Sequence, residues 1–423
     1  MTHYSTLYER IPLNSVDIPQ SVLDIRNKTR SNPLKWSGQF SPQFVHALLQ
    51  AYGTNSARVY DPFLGSGTVL LEAGRLGIAA CGSEINPAAV TLARTYEFIN
   101  IRVAKRRKAI KLIETLLEQT FPLSIFIAPP SDNGYCLIEQ KNVIRQKLLA
   151  LHQTLSTYLS TKLIETLIIL VDFHKKEDLS VHKIFKVWNK LKQLVLELPY
   201  NLNQIDVFHS DARNTPVPNS TIDLVITSPP YINVFNYHQQ YRRSAESLQW
   251  NLLEVAKSEF GSNRKHRGNR FLTVTQFCLD IAHTLNELIR ISTDSARLIF
   301  VVGRESKVRG TTFYNSAIFT ELACQLGYTL LMRQERKFKN RFGKWIYEDI
   351  IHLELTSGET FSDQKVNDTA RRTAFSSLNG SLSYVPDNAV QDLMSAIDKI
   401  PYVQSSPILN KTTILKNEVL YAN

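Results

Sequence analysis

Ile222-Asp223-Leu224-Val225-Ile226-Thr227-Ser228-Pro229-Pro230-Tyr231 runs an apolar segment into a proline-stopped turn, and its reading decides the fold. Leu224, Val225 and Ile226 are uninterrupted apolar residues, the pattern of a parallel-sheet strand covered by helices on both faces. Pro229 and Pro230 must end that strand, because neither has an amide hydrogen to continue the ladder. In open α/β sheets the space beyond such strand ends is where ligands bind. The turn therefore holds a hydroxyl, bare carbonyl oxygens and an aromatic ring at a ligand-binding edge. That set suits a flat, amino-bearing heterocycle: Ser228 and the Pro229 carbonyl can accept hydrogen bonds from an exocyclic amine, and the Tyr231 ring can stack on the base. Taken alone, the box also reads as a simple strand terminator.

A second segment narrows the choice. Val59-Tyr60-Asp61-Pro62-Phe63-Leu64-Gly65-Ser66-Gly67-Thr68 leads a short strand into a glycine-rich turn, and Val69 to Ala73 begin a helical pattern. Gly65 and Gly67 allow a tight turn and close approach to a ligand at a helix N-terminus. Seventeen residues after Gly67, the stretch Ile78 to Pro87 reads as a strand ending in Glu84. An acid about 20 residues beyond such glycines binds ribose hydroxyls in βαβ nucleotide sites. Asp61 at the head of the turn would repel a phosphate and suits a cationic amine, and no G-x-x-x-x-G-K-[ST] sequence occurs. S-adenosylmethionine, which carries an ammonium and a sulfonium, fits this chemistry better than NAD or ATP.

Over residues 36–100 and 205–355 the chain resembles the S-adenosylmethionine-dependent DNA amino-methyltransferases, which modify cytosine N4 or adenine N6. Asp61 to Thr68 resemble that family's cofactor loop, Glu84-Ile85-Asn86-Pro87 its ribose acid, and Ser210-Asp211-Ala212 the acid that meets the adenine amino group. Ser228-Pro229-Pro230-Tyr231 resembles the catalytic box, and Trp36 to Phe44 the segment over the methionine end, with Phe40 as a contact. The resemblance implies a Rossmann-like class I methyltransferase sheet of α/β class with a mostly helical insertion. It implies cofactor contacts from Phe40, Asp61, Pro62, Phe63, Gly65, Gly67, Thr68, Glu84 and Asp211, and catalysis by Ser228, Pro229, Pro230 and Tyr231. It also implies double-stranded DNA as partner, with base flipping, and a restriction endonuclease acting on the same site.

Within this chemistry, carbon-5 cytosine methylation needs a cysteine after proline at the strand end. None of Cys81, Cys136, Cys278 or Cys324 follows a proline. The cysteines also lack C-x-x-C spacing, which argues against zinc and disulfides and suggests a reducing, cytoplasmic setting. In the resembling family a serine heading the box goes more often with cytosine N4 than with adenine N6, so Ser228 favours cytosine. An RNA base methyltransferase and a non-catalytic nucleic-acid-binding subunit of the same fold are the alternatives.

With 49 Lys+Arg against 38 Asp+Glu, a net charge of +11 and a pI near 9.3, the chain is biased toward a polyanion. Arg242, Arg243, Arg264, Lys265, Arg267 and Arg270 follow the box in a polar stretch and are the expected DNA contacts. Arg333, Arg336, Lys337, Lys339, Arg341 and Lys344, interleaved with Phe338, Phe342 and Trp345, read either as a DNA-facing hairpin or as solvated strands.

The sequence divides into a cofactor-loop part at 1–100, a helical insertion at 101–204, a catalytic half at 205–355 and an extension at 356–423. Apolar spacing predicts helices over 108–117, 143–159 and 181–196 in the insertion. The insertion separates Glu84 from Asp211, where the resembling family keeps its first three motifs contiguous; it reads as target recognition or as a scaffold. Ile127-Ala128-Pro129-Pro130-Ser131 mimics the box but lacks the aromatic and reads as a loop. No 18-residue apolar span or signal core is present, so neither a membrane anchor nor secretion is expected.

Overall fold

A computed structural model of the chain describes residues 18–122, 134–173, 179–232, 236–261, 266–339 and 343–409. Seven strands form one twisted sheet: β1 (Arg58–Asp61), β2 (Ala79–Glu84), β3 (Ile205–His209), β4 (Ile222–Thr227), β5 (Ser292–Gly303), β8 (Tyr328–Lys339) and β9 (Trp345–Leu355). Their order is β3-β2-β1-β4-β5-β9-β8, and a separate hairpin joins β6 (Ser306–Val308) to β7 (Thr311–Phe313). The first five strands of the sheet are parallel, and β9 then runs antiparallel to both β5 and β8. Strand order reverses at β1, which creates the switch-point crevice of doubly wound sheets at the strand C-termini. This is the Rossmann-like, mostly parallel α/β sheet expected from the sequence.

Strand periodicity divides the core in two. Val59, Ala80, Leu224, Ile226 and Ile299 enter one apolar cluster, whereas Tyr60, Cys81, Val225, Leu298 and Phe300 enter the other. Helices α1 (Pro42–Tyr52), α2 (Thr68–Leu76) and α3 (Pro87–Arg94) supply the first cluster. The second is covered by α8 (Leu272–Ile291), α9 (Asn315–Gln325) and α10 (Asp363–Gly380).

The described residues of the insertion fold as four helices: α4 (Val103–Thr120), α5 (Gly134–Gln153), α6 (Tyr158–Val171) and α7 (Val181–Glu197). The single helix expected over 143–159 is thus two, divided where the Thr157 hydroxyl caps α6 by accepting from the Ser160 amide. The apolar run at 167–171 is the buried end of α6, which packs on α3 and α4. Trp188 and Leu167 are fully buried in the same cluster as the β1 side of the sheet, so the insertion extends that core. The mimic at 127–131 lies outside the described residues.

Gly67 caps α2 with φ +87°, and a Cβ there would lie 2.9 Å from the Tyr96 ring and 3.1 Å from the Ala93 backbone. Gly77, which ends the same helix at φ +69°, has nothing within 4 Å of such a Cβ. Gly67→Ala is therefore expected to cost about 2 to 3 kcal/mol, combining backbone strain with a clash, and Gly77→Ala only about 1 kcal/mol. Equal shifts of the two variants in denaturant unfolding would contradict this account.

Candidate active site

Four strand ends supply the site. β1 ends at Asp61, β2 at Glu84 and β4 at Thr227, with Ser228 following; the chain beyond β3 brings Asp211. Their side chains and loops line a cleft that also includes Trp36, Phe40, Pro62, Phe63, Gly65, Thr68, Ala212, Pro230, Tyr237, Glu259 and Phe260. About 100 Å³ of this cleft is free.

Asp61 is buried, and its Oδ1 accepts from the Thr227 hydroxyl at 2.6 Å and from the Phe63 amide at 3.1 Å. Glu84 accepts from the Gly65 amide at 2.9 Å and the Asn86 amide at 2.8 Å. Gly65 can donate there because its φ of +53° turns the backbone back over the acid, with Trp36 filling the space a side chain would need. Among the described residues no Lys or Arg pairs with either acid. Burial pushes both carboxyls up to about 7, against the hydrogen bonds that favour the ionised forms. Two acids lacking a cationic partner in one cleft are the donor set for a cationic ligand.

Ser228 also lines a second space, a groove of about 960 Å³ between residues 24–42 and the β8–β9 hairpin. Arg26, Lys28, Lys35, Arg336, Lys337 and Lys339 line it against Asp24 and Glu348, with Phe40, Phe338 and Trp345 interspersed. The hairpin overhangs the sheet edge: β5 stops opposite Glu348, while Lys337, Phe338 and Lys339 pair onward with Tyr347, Ile346 and Trp345.

Several expected residues take other places. Gly67 does not line the cleft; its positive φ serves the packing of α2 described above. Tyr231 lines neither space, because its ring lies over Gly303 and its hydroxyl sits 3.3 Å from Ser228 Oγ and 3.5 Å from Glu348 Oε1. Pro229 is buried. Asp211 lines the cleft, but its carboxylate is engaged by Arg213 and the Leu409 amide.

The described basic residues at 242–270 line neither space. Arg242 pairs with Glu246, Arg243 and Arg267 are exposed, and these three with Arg270 line neither space. Arg264, Lys265, Arg341 and Phe342 lie outside the described residues. Tyr237, Glu259 and Phe260 were missed in the sequence, where no local motif marks them. Trp36 stacks on Tyr237 at 6.5 Å and on Tyr241 at 6.3 Å, so residues 236–241 support the segment carrying Phe40.

With this geometry in view, residues 9–95 match the family model described as DNA methylase. The chain is 25% identical over 264 residues to the type II methyltransferase M.BsoBI of Geobacillus stearothermophilus, covering 51% of this chain and 52% of that protein. It is 37% identical over 70 residues to M.MjaVI of Methanocaldococcus jannaschii, covering 16% of this chain and 30% of that relative. It thus spans about half the length of the first and less of the second. Among solved structures, an S-adenosylmethionine-dependent methyltransferase of Methanosarcina mazei is 11% identical with a TM-score of 0.33, covering 73% of this chain and 96% of its own. The rRNA methyltransferase aviRa of Streptomyces viridochromogenes is 11% identical with a TM-score of 0.27, covering 84% and 96% respectively.

Asp61 and Glu84 hold protons in the folded state at a pH where their ordinary values, 3.8 and 4.5, would leave them ionised. Between about pH 4 and 7 the folded chain therefore binds more protons than the unfolded chain, and the contribution of these groups to stability falls as pH rises. The melting temperature of Asp61→Asn is expected to decline less than that of the parent between pH 5 and 8. Parallel profiles would show that Asp61 is ionised throughout.

Proposed function

We propose that the protein is an S-adenosylmethionine-dependent DNA methyltransferase acting on an exocyclic amino nitrogen, cytosine N4 in preference to adenine N6. The observation that carries this reading is that Ser228 is shared by two spaces of opposite character. One is a cleft with a buried acid, Asp61, and a half-buried one, Glu84, neither with a cationic partner among the described residues; the other is a basic groove with aromatic rings. A cationic methyl donor on one side and a nucleic acid on the other would meet at that hydroxyl. The matches to a DNA methylase model and to type II methyltransferases agree with it.

Asp61 and Glu84 would hold the cofactor's ammonium and ribose ends, with Phe40 and Trp36 against it. S-adenosylmethionine supplies an electrophilic methyl on a sulfonium. The amino nitrogen of a cytosine is a weak nucleophile because its lone pair is delocalised into the ring. Ser228 Oγ and the Pro229 carbonyl, accepting its two protons, would favour a pyramidal nitrogen with a localised lone pair, so orientation and electrostatics supply the rate. The substituted nitrogen must then lose a proton. Ser228 Oγ, Tyr231 OH and Glu348 form a series from the reacting atom to a carboxylate whose burial raises its proton affinity. A duplex base reaches this hydroxyl only when flipped out, and the groove is the space that would receive it.

The groove replaces the loop at 242–270 as the favoured DNA contact, since its lysines flank Ser228. Pairing with a restriction nuclease is part of the proposal, supported by the resemblance to type II methyltransferases.

Mass spectrometry of nucleosides from unmethylated DNA treated with the protein and S-adenosylmethionine is expected to show N4-methylcytosine. N6-methyladenine would keep the mechanism and change the base, and unmodified DNA would overturn the reading. Ser228→Ala is expected to keep cofactor binding while losing roughly 100-fold in transfer. For DNA binding, Lys337→Glu/Lys339→Glu is expected to lower the salt slope of log K by about 2, against little change for Arg267→Glu; the opposite ranking would restore the loop.

A further inference from the structure

Arg213 is a buried cation with a place outside every motif above, its side chain 2% exposed. Its five N–H donors are all used. Nε and Nη2 bind Asp211 at 2.9 and 2.7 Å, Nη1 binds Asp280 of α8 at 2.7 Å, and Nη1 and Nη2 reach the carbonyls of Ser406 and Pro407 at 2.6 and 3.0 Å. Residues 403–409 thus form a strap over the end of β3. Ser406 also binds Asp280 through its amide at 2.7 Å and its hydroxyl at 2.6 Å, and the Leu409 amide reaches Asp211 at 3.2 Å.

Two consequences follow for the cleft. Asp211 accepts four hydrogen bonds, two on each oxygen, because the Arg213 amide adds a further contact at 3.0 Å. No lone pair is left to meet a ligand's amino group, so Asp211 is a positioning residue for Arg213. The guanidinium in turn sits 4.8 Å from the centroid of Phe260, whose ring meets Phe63 edge-on at 5.5 Å. Gly261 fixes the same turn from the other side: at φ +60° its Cβ position is 2.3 Å from the Tyr231 carbonyl oxygen. Phe260 is therefore clamped between a saturated cation and the backbone of the Ser228 turn while lining the cleft.

We infer that the C-terminal strap completes the cofactor cleft: acting through Arg213, it sets Phe260 as the aromatic wall for the nucleoside end of the ligand. The inference rests on the cofactor reading above. The end follows from strand order. Glu84 closes β2 and Asp211 follows β3, the next strand outward, so a nucleoside with its ribose at Glu84 directs its base toward Ala212 and Phe260. A flat heterocycle gains from an aromatic wall there without any hydrogen bond from Asp211.

Calorimetry on the full chain with two ligands tests this: S-adenosylmethionine, and 5′-methylthioadenosine, which has the nucleoside end but no amino-acid end. Phe260→Ala is expected to weaken both in parallel, by about tenfold, while Phe260→Trp stays within about threefold of the parent. Arg213→Lys and Ser406→Ala are expected to weaken both ligands as well, Ser406→Ala by less, at temperatures where melting curves show each variant folded. A loss confined to S-adenosylmethionine in Phe260→Ala would put the ring at the other end and overturn the inference. So would parental affinity for both ligands in folded Arg213→Lys and Ser406→Ala. A parent that binds neither ligand would overturn the cofactor reading itself, a result distinguishable from the variant effects.

Discussion

The Thr227 hydroxyl donates to Asp61 at 2.6 Å, and on that bond the relation between the two halves of the site depends. Asp61 closes β1 and Thr227 closes β4, strands 166 residues apart in sequence but adjacent in the sheet. The residue that follows Thr227 is Ser228. Any movement of the acid is therefore transmitted to the hydroxyl proposed to meet the substrate, over one side chain and one peptide. The prolines behind Ser228 make that transmission stiff, since neither has the rotational freedom to absorb a shift.

An arrangement of this kind has a cost in the fold. Asp61 and Glu84 are desolvated with hydrogen bonds but no cation, the situation in which burial penalises the charged form most. Glu72, fully buried, is by contrast met by Arg30 and Arg75, and Asp349 by Arg304. Asp61 and Glu84 differ from these two in lining the cleft with no Lys or Arg paired to them among the described residues. A ligand that brings positive charge removes the penalty on binding, so affinity and folding stability are linked through the same two groups.

Legibility in the sequence follows the range of the interactions. Strands β1, β2 and β4 could be read because their burial is written in local apolar runs, and Asp61, Gly65 and Glu84 because a tight turn and its acid are separated by a fixed βα length. The break between α5 and α6 was readable in principle from Thr157 as a cap, but the apolar spacing runs on across it. The direction of the Tyr231 ring was not legible, because the ring lies over Gly303, 72 residues on. The occupation of Asp211 was invisible, since Arg213 is drawn to Asp280 and to carbonyls at 406 and 407 that no spacing connects to it. Nearness in sequence and nearness in space diverge most at the basic clusters. Residues 242–270 follow Ser228 in the chain, yet the hairpin more than 100 residues later reaches it in space.

The hairpin itself admits two explanations. β8 is the edge of the sheet, and lysines on an edge strand prevent pairing with other chains. Lys337 and Lys339 could serve that purpose alone. Edge protection does not account for Arg336, which faces inward, its guanidinium 4.3 Å from the Phe44 centroid and 4.8 Å from that of Phe338. Nor does it explain Arg26, Lys28 and Lys35 on the opposite wall, which belong to no strand. Two walls that set six cations against Asp24 and Glu348, built from segments some 300 residues apart and meeting at Ser228, favour the proposed anionic occupant between them. The overhang of β8 and β9 past the end of β5 is what brings the second wall over the site.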